Sequence, residues 1–337
     1  MSEELSKRLA AIAARWGEEA IVRFEDLPVK KIEALSSGCL AIDAVTGIGG
    51  YPKGAITELF GPEGAGKTTL ALWFLAHVQK SGGIAAFINV EQKGDPDYIR
   101  ALVESYGGVA DDILVSYPPS GAAALDIVEK LVGLADAVVL DSVAELITGA
   151  ELDADPEANF VGMQARLITK FLKRAMPKLG LSKTVLLFTN QVRANIGGYG
   201  SSETVAGGRA LRHLKTLSMR ISLRGVPIKL DGKEIGVPCK AKVRKNQVGA
   251  PGGIAEFDIV WGKGIDIIKD TFEMAKLSVF ETKGSHYYYD WDGTGGEPTS
   301  THGEEKVKVL MREHPDLLER IRTEIQYAHS GGEARDE

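Results

Sequence analysis

The sequence predicts an α/β fold: a mostly parallel, doubly wound sheet with a helical N-terminal arm and a small α+β C-terminal domain. Three observations carry this reading. Short apolar runs alternate with helical stretches from residue 36, a glycine loop of phosphate-binding type joins one such run to a helix, and the alternation stops after residue 264. With 337 residues, 44% of them hydrophobic, the chain can bury one substantial core carrying small terminal modules.

In the first segment Leu5, Leu9, Ile12 and Trp16 recur at spacings of four, three and four, which gives a helix one apolar stripe. Its own domain or a neighbouring molecule can cover that stripe, and periodicity does not choose between them. Residues 20–24 read as a short strand, so residues 1–35 form a small arm. In the core, residues 36–264, the strands fall at 55–60, 84–90, 137–140, 184–189 and 219–223. Helical patterns at 68–80, 122–134 and 162–179 have the length that parallel crossovers require. Residues 265–328 hold an aromatic patch, His286-Tyr287-Tyr288-Tyr289, and a terminal helical stretch at 304–327; the polar tail 329–337 reads as disordered.

Formal net charge is −6, so no overall positive field draws the chain to nucleic acid, and any DNA site must come from local loops. Cys39 and Cys239 stand far apart in no metal-type spacing, which fits a reducing compartment. The charged first twenty residues lack the apolar run of a signal peptide, and no stretch approaches bilayer length. The expected location is cytoplasmic.

Gly61-Pro62-Glu63-Gly64-Ala65-Gly66-Lys67-Thr68 matches the P-loop between a strand and a helix. Its glycines let backbone N–H groups curl round a phosphate, Lys67 reaches the β- and γ-oxygens, and the Thr68 hydroxyl is a ligand for Mg²⁺. An apolar strand leads into Asp141, where α/β sheets place ligands; a lone aspartate there would serve as a helix cap, but beside a P-loop it is the Walker B carboxylate, holding Mg²⁺ through water. Glu91 ends a neighbouring strand, a place from which a carboxylate can hold the attacking water or stand as a solvated charge.

Taken together, Gly61 to Thr69, Phe87-Ile88-Asn89-Val90-Glu91, Asp95-Pro96-Asp97-Tyr98, Val139-Leu140-Asp141-Ser142 and Phe188-Thr189-Asn190-Gln191-Val192-Arg193 resemble the RecA family. Lesser matches are Ser36-Ser37-Gly38, Gly207-Gly208 and Lys245-Asn246, and the likeness weakens beyond residue 265. The resemblance implies a RecA-like ATPase core using ATP and Mg²⁺, with P-loop contacts extending to Thr69. It makes Glu91 the catalytic glutamate and Gln191 the sensor of the γ-phosphate. Asp95 and Tyr98 would hold the adenine end, although composition alone reads Tyr98 as a core aromatic. Lys245 would reach the ATP of the neighbouring subunit.

The resemblance further implies assembly into a helical filament on single-stranded DNA, pairing with double-stranded DNA, and strand exchange. Single-strand-binding and loader proteins are partners it leaves open. Two DNA loops follow, at about 153–162 and 193–208. The second combines Arg193, Asn195, Ile196, Gly197, Gly198 and Tyr199 and ends on Gly207 and Gly208, a cation, an aromatic and glycines suited to a single strand, although composition alone favours a mobile surface loop. The first is acidic, so its contributors are Phe160, Val161 and nearby Arg166, while Lys173 and Arg174 read as solvated charges. Gln247 departs from the family's second bridging lysine, Arg212 keeps the charge expected at its position, and the acidic tail shrinks to Glu333, Asp336 and Glu337. These departures mark a divergent member, of cellular or phage origin. A hexameric helicase with the same core, or an accessory paralogue that only regulates, are the competing readings.

Overall fold

The computed structural model describes residues 3–17, 20–26, 32–92, 94–146, 162–194 and 203–329. The chain divides into two compact units, Met1–Ile32 and Glu33–Glu337. In the first, helix α1 (Glu3–Trp16) carries the apolar stripe, with Leu5, Ile12 and Trp16 exposed and Leu9 half-buried. The expected strand at 20–24 is absent; a 3₁₀ turn, Phe24–Asp26, ends that stretch. An extended run persists when a ladder satisfies its backbone groups, and the described residues of this first unit contain no strand to pair with it.

The second unit begins with a short antiparallel pair, β1 (Ala34–Leu35) and β2 (Tyr51–Pro52), around helix α2 (Leu40–Thr46). The main sheet follows: β3 (Ala55–Gly61), β4 (Ala85–Asn89), β5 (Leu114–Ser116), β6 (Ala137–Asp141), β7 (Val185–Ala194), β8 (Glu203–Val205), β9 (Leu217–Leu223), β10 (Ile228–Leu230), β11 (Lys233–Asn246), β12 (Ile254–Val260) and β13 (Gly264–Ile265). Its order is β13-β12-β11-β9-β3-β7-β6-β4-β5, with β10 on β11 and β8 on β7. From β9 to β5 every pairing is parallel.

Helices α3 (Lys67–Lys80), α4 (Pro96–Tyr106), α5 (Gly121–Leu131) and α6 (Met163–Leu181) cover the parallel half, and the short α7 (Gly208–Leu214) precedes β9. Along β6, Ala137 and Val139 enter one buried layer while Val138 and Leu140 enter the other. A strand covered on both faces is apolar at most positions, which is why Ala137 to Leu140 appears in the sequence as an unbroken hydrophobic run, although β3 buries Thr57 and Glu58 as well.

The antiparallel strands β11 to β13 extend the sheet beyond the strands expected from sequence. They hid because they alternate: Cys239, Ala241 and Val243 are buried while Lys240, Lys242 and Arg244 point outward between them. Helices α8 (Ile267–Ser278), α9 (Glu304–Glu313) and α10 (Pro315–His329) close the unit with a small antiparallel sheet, β14 (Glu281–Lys283), β15 (His286–Tyr289) and β16 (Thr299–His302). The aromatic patch follows the same period of two: Tyr287 and Tyr289 pack on Phe280, whereas His286 is exposed. Buried Arg322 of α10 donates to Thr271 Oγ1 and the Gly38 carbonyl and faces Asp270, whose carboxylate accepts the Leu40 and Ala41 N–H groups at the start of α2.

Candidate nucleotide site and an adjoining basic groove

The carboxyl ends of the central parallel strands bring the motif residues to one edge, where Gly61 lies in register with Gln191 and Asn89 with Asp141. The loop after β3 needs its glycines for space as well as conformation. A Cβ on Gly61 would stand 2.1 Å from the Ile221 carbonyl oxygen, and one on Gly66, at φ 87°, would stand 2.4 Å from Ile259 Cδ1. Gly66 then starts α3, so the helix N-terminus opens onto the loop.

Lys67 is 8% exposed, and its ammonium donates to the carbonyls of Gly61 at 3.1 Å and Pro62 at 2.7 Å. Burial pushes its pKa down, against the opposing pull of the Asp141, Glu91 and Glu63 charges. The Thr68 hydroxyl donates to Asp141 Oδ2 at 2.7 Å, and Thr189 Oγ1 donates to Asp141 Oδ1. Burial raises the Asp141 pKa and the nearby Glu91 charge adds to it, while the Thr189 and Thr68 hydrogen bonds oppose the shift. Gln191 Nε2 donates to Glu91 Oε1 at 3.3 Å, tying the expected sensor to the expected water-holding carboxylate. Tyr98 is a half-buried partner of Thr69, hydroxyl to hydroxyl at 3.2 Å, and Asp95 caps α4 by accepting the Asp97 N–H at 3.0 Å.

A sheet edge at which a P-loop lysine, a Walker-type threonine–aspartate pair, a glutamate and a glutamine meet has the chemistry to bind a nucleotide. The family model for the RecA N-terminal domain matches residues 3–266. The chain is 39% identical over 325 residues to Protein RecA of Thermus thermophilus, covering 95% of this chain and 93% of that protein. The chain belongs to the RecA family. Protein RecA of Chlorobaculum parvum, 38% identical, covers 98% of this chain and 93% of its own length; that of Aquifex aeolicus, also 38% identical, covers 97% and 95%. Within the RecA family this chain is an ATP-dependent DNA recombinase and a DNA-dependent ATPase that binds DNA and forms filaments.

The DNA side of this RecA-family chain is only partly described. Asn195, Ile196, Gly197, Gly198 and Tyr199, the first loop's Phe160 and Val161, and the tail 330–337 lie outside the described residues. Arg193 lies on β7 in register with Thr204 of β8, Gly207 is the residue before α7, and Gly208 is its first residue. Arg166 lines a cavity of about 510 Å³ together with Thr169, Lys170 and Lys173 of α6 and Arg209 of α7. Lys173 is therefore part of a basic groove. Arg174, exposed as the sequence suggests, also joins Lys178 in neutralising Glu129, which is only 8% exposed, at 3.1 and 3.0 Å.

The motif reading missed this groove because its cations come from two helices, each of which alone carries an ordinary charged face. Lys245 is not among the residues meeting at the nucleotide edge. Its ammonium donates to the carbonyls of Lys215, His213 and Arg212 at 2.6, 2.7 and 3.2 Å, and burial, then the Lys215 charge, lowers its pKa. Among the described residues no helix is long and apolar enough to cross a membrane.

Proposed function

We propose that this protein polymerises on single-stranded DNA in the cytoplasm and promotes homologous pairing and strand exchange, with each ATP bound between neighbouring copies. The observation that carries the reading is the contact of Gln191 with Glu91 beside the Lys67, Thr68 and Asp141 cluster, at the strand ends that lead directly into the second DNA loop. One side chain can then respond to the γ-phosphate and move the DNA-binding segment.

The residues fit their roles. Lys67 exchanges its two loop carbonyls for phosphate oxygens, Tyr98 and Asp95 flank the adenine end, and Glu91 holds the attacking water in line. Thr68 and Asp141 supply hard oxygens a hydrogen bond apart, a donor pair suited to Mg²⁺, with Asp141 acting through water. When bound, the ion neutralises phosphate charge. Lys245 of an adjoining copy supplies positive charge at the γ-phosphate once it leaves its carbonyls, and neutral Gln247 contributes hydrogen bonding only.

On the DNA side Arg193, Tyr199 and the Gly207-Gly208 turn contact the strand, with Arg166, Lys173 and Arg209 neutralising its phosphates. The apolar stripe of α1 docks on a neighbour, and repetition of that open, head-to-tail contact yields a filament. We assign residues 1–35 to this arm, 36–264 to the ATPase core and 265–328 to the small C-terminal domain; single-strand-binding and loader proteins are its proposed helpers. The test is strand exchange between a circular single strand and homologous linear duplex with purified protein. Joint molecules should form with ATP and Mg²⁺ and fail to form with ADP; closed rings and duplex unwinding without pairing would overturn the reading.

A further inference from the structure

A buried polar chain joins the nucleotide edge to the base of the second DNA loop, and its centre lies outside every motif read from the sequence. Glu58 of β3 is wholly buried. One of its carboxylate oxygens accepts from Asn190 Nδ2 at 3.1 Å, and the other accepts from the Lys215 ammonium and from Ser218 Oγ at 2.9 Å. Asn190 donates also to the Ala206 carbonyl at 2.9 Å, near the loop's exit, and its oxygen accepts the Gln191 N–H at 3.0 Å. Gln191 in turn donates to Glu91.

On the other side, Lys215 is the residue that ends α7, the helix opening on Gly208. Its carbonyl is one of the three that hold Lys245. Lys215 thus reaches the sensor strand only through Glu58 of β3, to which its side chain and Asn190 both bond, and it touches the cross-subunit lysine through its backbone.

Stability alone does not account for such a pair, because neutral residues of the same shape usually serve a fold as well as a buried ion pair does. What the pair adds is registry. A buried carboxylate stripped of its ammonium is strongly disfavoured, so Glu58 and Lys215 must stay together whichever way the loop or the sensor moves.

We propose that Lys215 is a positioning residue that links the second DNA loop to the ATP site, by locking the carbonyl end of α7 to Glu58 of β3, whose carboxylate also holds Asn190 beside Gln191. The inference rests on the roles given above to Gln191 and Lys245. With the lock in place, DNA binding at the loop sets the sensor and the Lys245 anchor together; without it, each responds alone.

Lys215→Met by itself strands the Glu58 charge and threatens folding, so the informative protein is Glu58→Gln with Lys215→Met, which removes both charges and keeps the shape. The readouts are the ratio of single-stranded DNA affinities with a non-hydrolysable ATP analogue and with ADP, and the KM and kcat of DNA-stimulated hydrolysis. The double variant should melt close to the parent, keep its KM for ATP, and lose about tenfold in both the affinity ratio and the stimulated kcat. Lys215→Arg, which keeps the charge, should retain both. A folded double variant with an unchanged affinity ratio and unchanged stimulated kcat would overturn the proposal. Gln191→Ala separates the two levels. If it too leaves the ratio unchanged, the sensor reading fails; if it collapses the ratio while the double variant does not, only the role of Lys215 falls.

Discussion

The nucleotide edge and the basic groove handle charge in opposite ways. At the edge Lys67 and Asp141 are buried, and each is held by named partners at the ends of parallel strands. In the groove Arg166, Lys170, Lys173 and Arg209 are all exposed, on two helices that meet only in the fold. The first arrangement makes contacts whose loss is severe and insensitive to salt. The second makes contacts that are individually weak, additive and screened. Chemistry on phosphate needs the former, and a strand that must be bound at any sequence and released needs the latter.

The largest expected effect lies at the edge. Lys67→Ala should abolish measurable ATP binding, whereas Glu91→Gln should bind ATP within about threefold of the parent and turn it over about a hundredfold more slowly. Equilibrium nucleotide binding and phosphate release measure the two, and normal hydrolysis by the Glu91 variant would remove that residue from the reaction.

A smaller effect, and of a different kind, is expected in the groove. Lys173→Ala with Arg209→Ala should weaken single-stranded DNA binding about tenfold and make the plot of log affinity against log salt shallower by about 1.4, the value for two lost phosphate contacts. The KM for ATP should not move. An unchanged salt slope in a fluorescence titration would take the groove out of the DNA path.

The effect most remote from function concerns stability away from both sites. Burial, with the Arg322 and Lys80 charges adding to it, holds His77 at about 4 rather than its ordinary 6.5. The unfolded chain therefore binds a proton that the folded chain refuses, so the stability present above about pH 6.5 is lost as pH falls toward 4. In His77→Gln the difference in unfolding free energy between pH 7 and pH 4 should shrink by about 3 kcal/mol. Denaturant titration at the two pH values measures it, and an equal loss in parent and variant would mean that His77 titrates normally.

The same contrast governs how far the sequence could be read. The P-loop, Asp141 and most of the parallel strands were legible because backbone geometry ties those residue types to adjacent positions and burial leaves largely apolar runs, whereas the parallel edge strand β5, exposed at Leu114 and Val115, was missed. Gln191 and Tyr98 took meaning only from the RecA resemblance, since a strand-end glutamine or a helix tyrosine has many ordinary uses. Strands β11 to β13 were missed because half-buried antiparallel strands interleave Lys240, Lys242 and Arg244 with the core residues. The Glu58–Lys215 pair joins positions 157 residues apart, and no local pattern announces it. The arm's short strand was misread because an apolar run says nothing about whether a ladder partner exists.

In the proposed reading each ATP site is completed by two copies of the chain, and mixing variant subunits measures this directly. Lys245→Ala and Glu91→Gln proteins, each slow alone, are combined on single-stranded DNA, and fluorescence transfer between labelled variants establishes that the filaments are mixed. Some interfaces then pair an intact Glu91 on one copy with an intact Lys245 on the next, so hydrolysis should rise well above the average of the two separate proteins. Hydrolysis equal to that average, in filaments known to be mixed, would contradict a site shared between subunits.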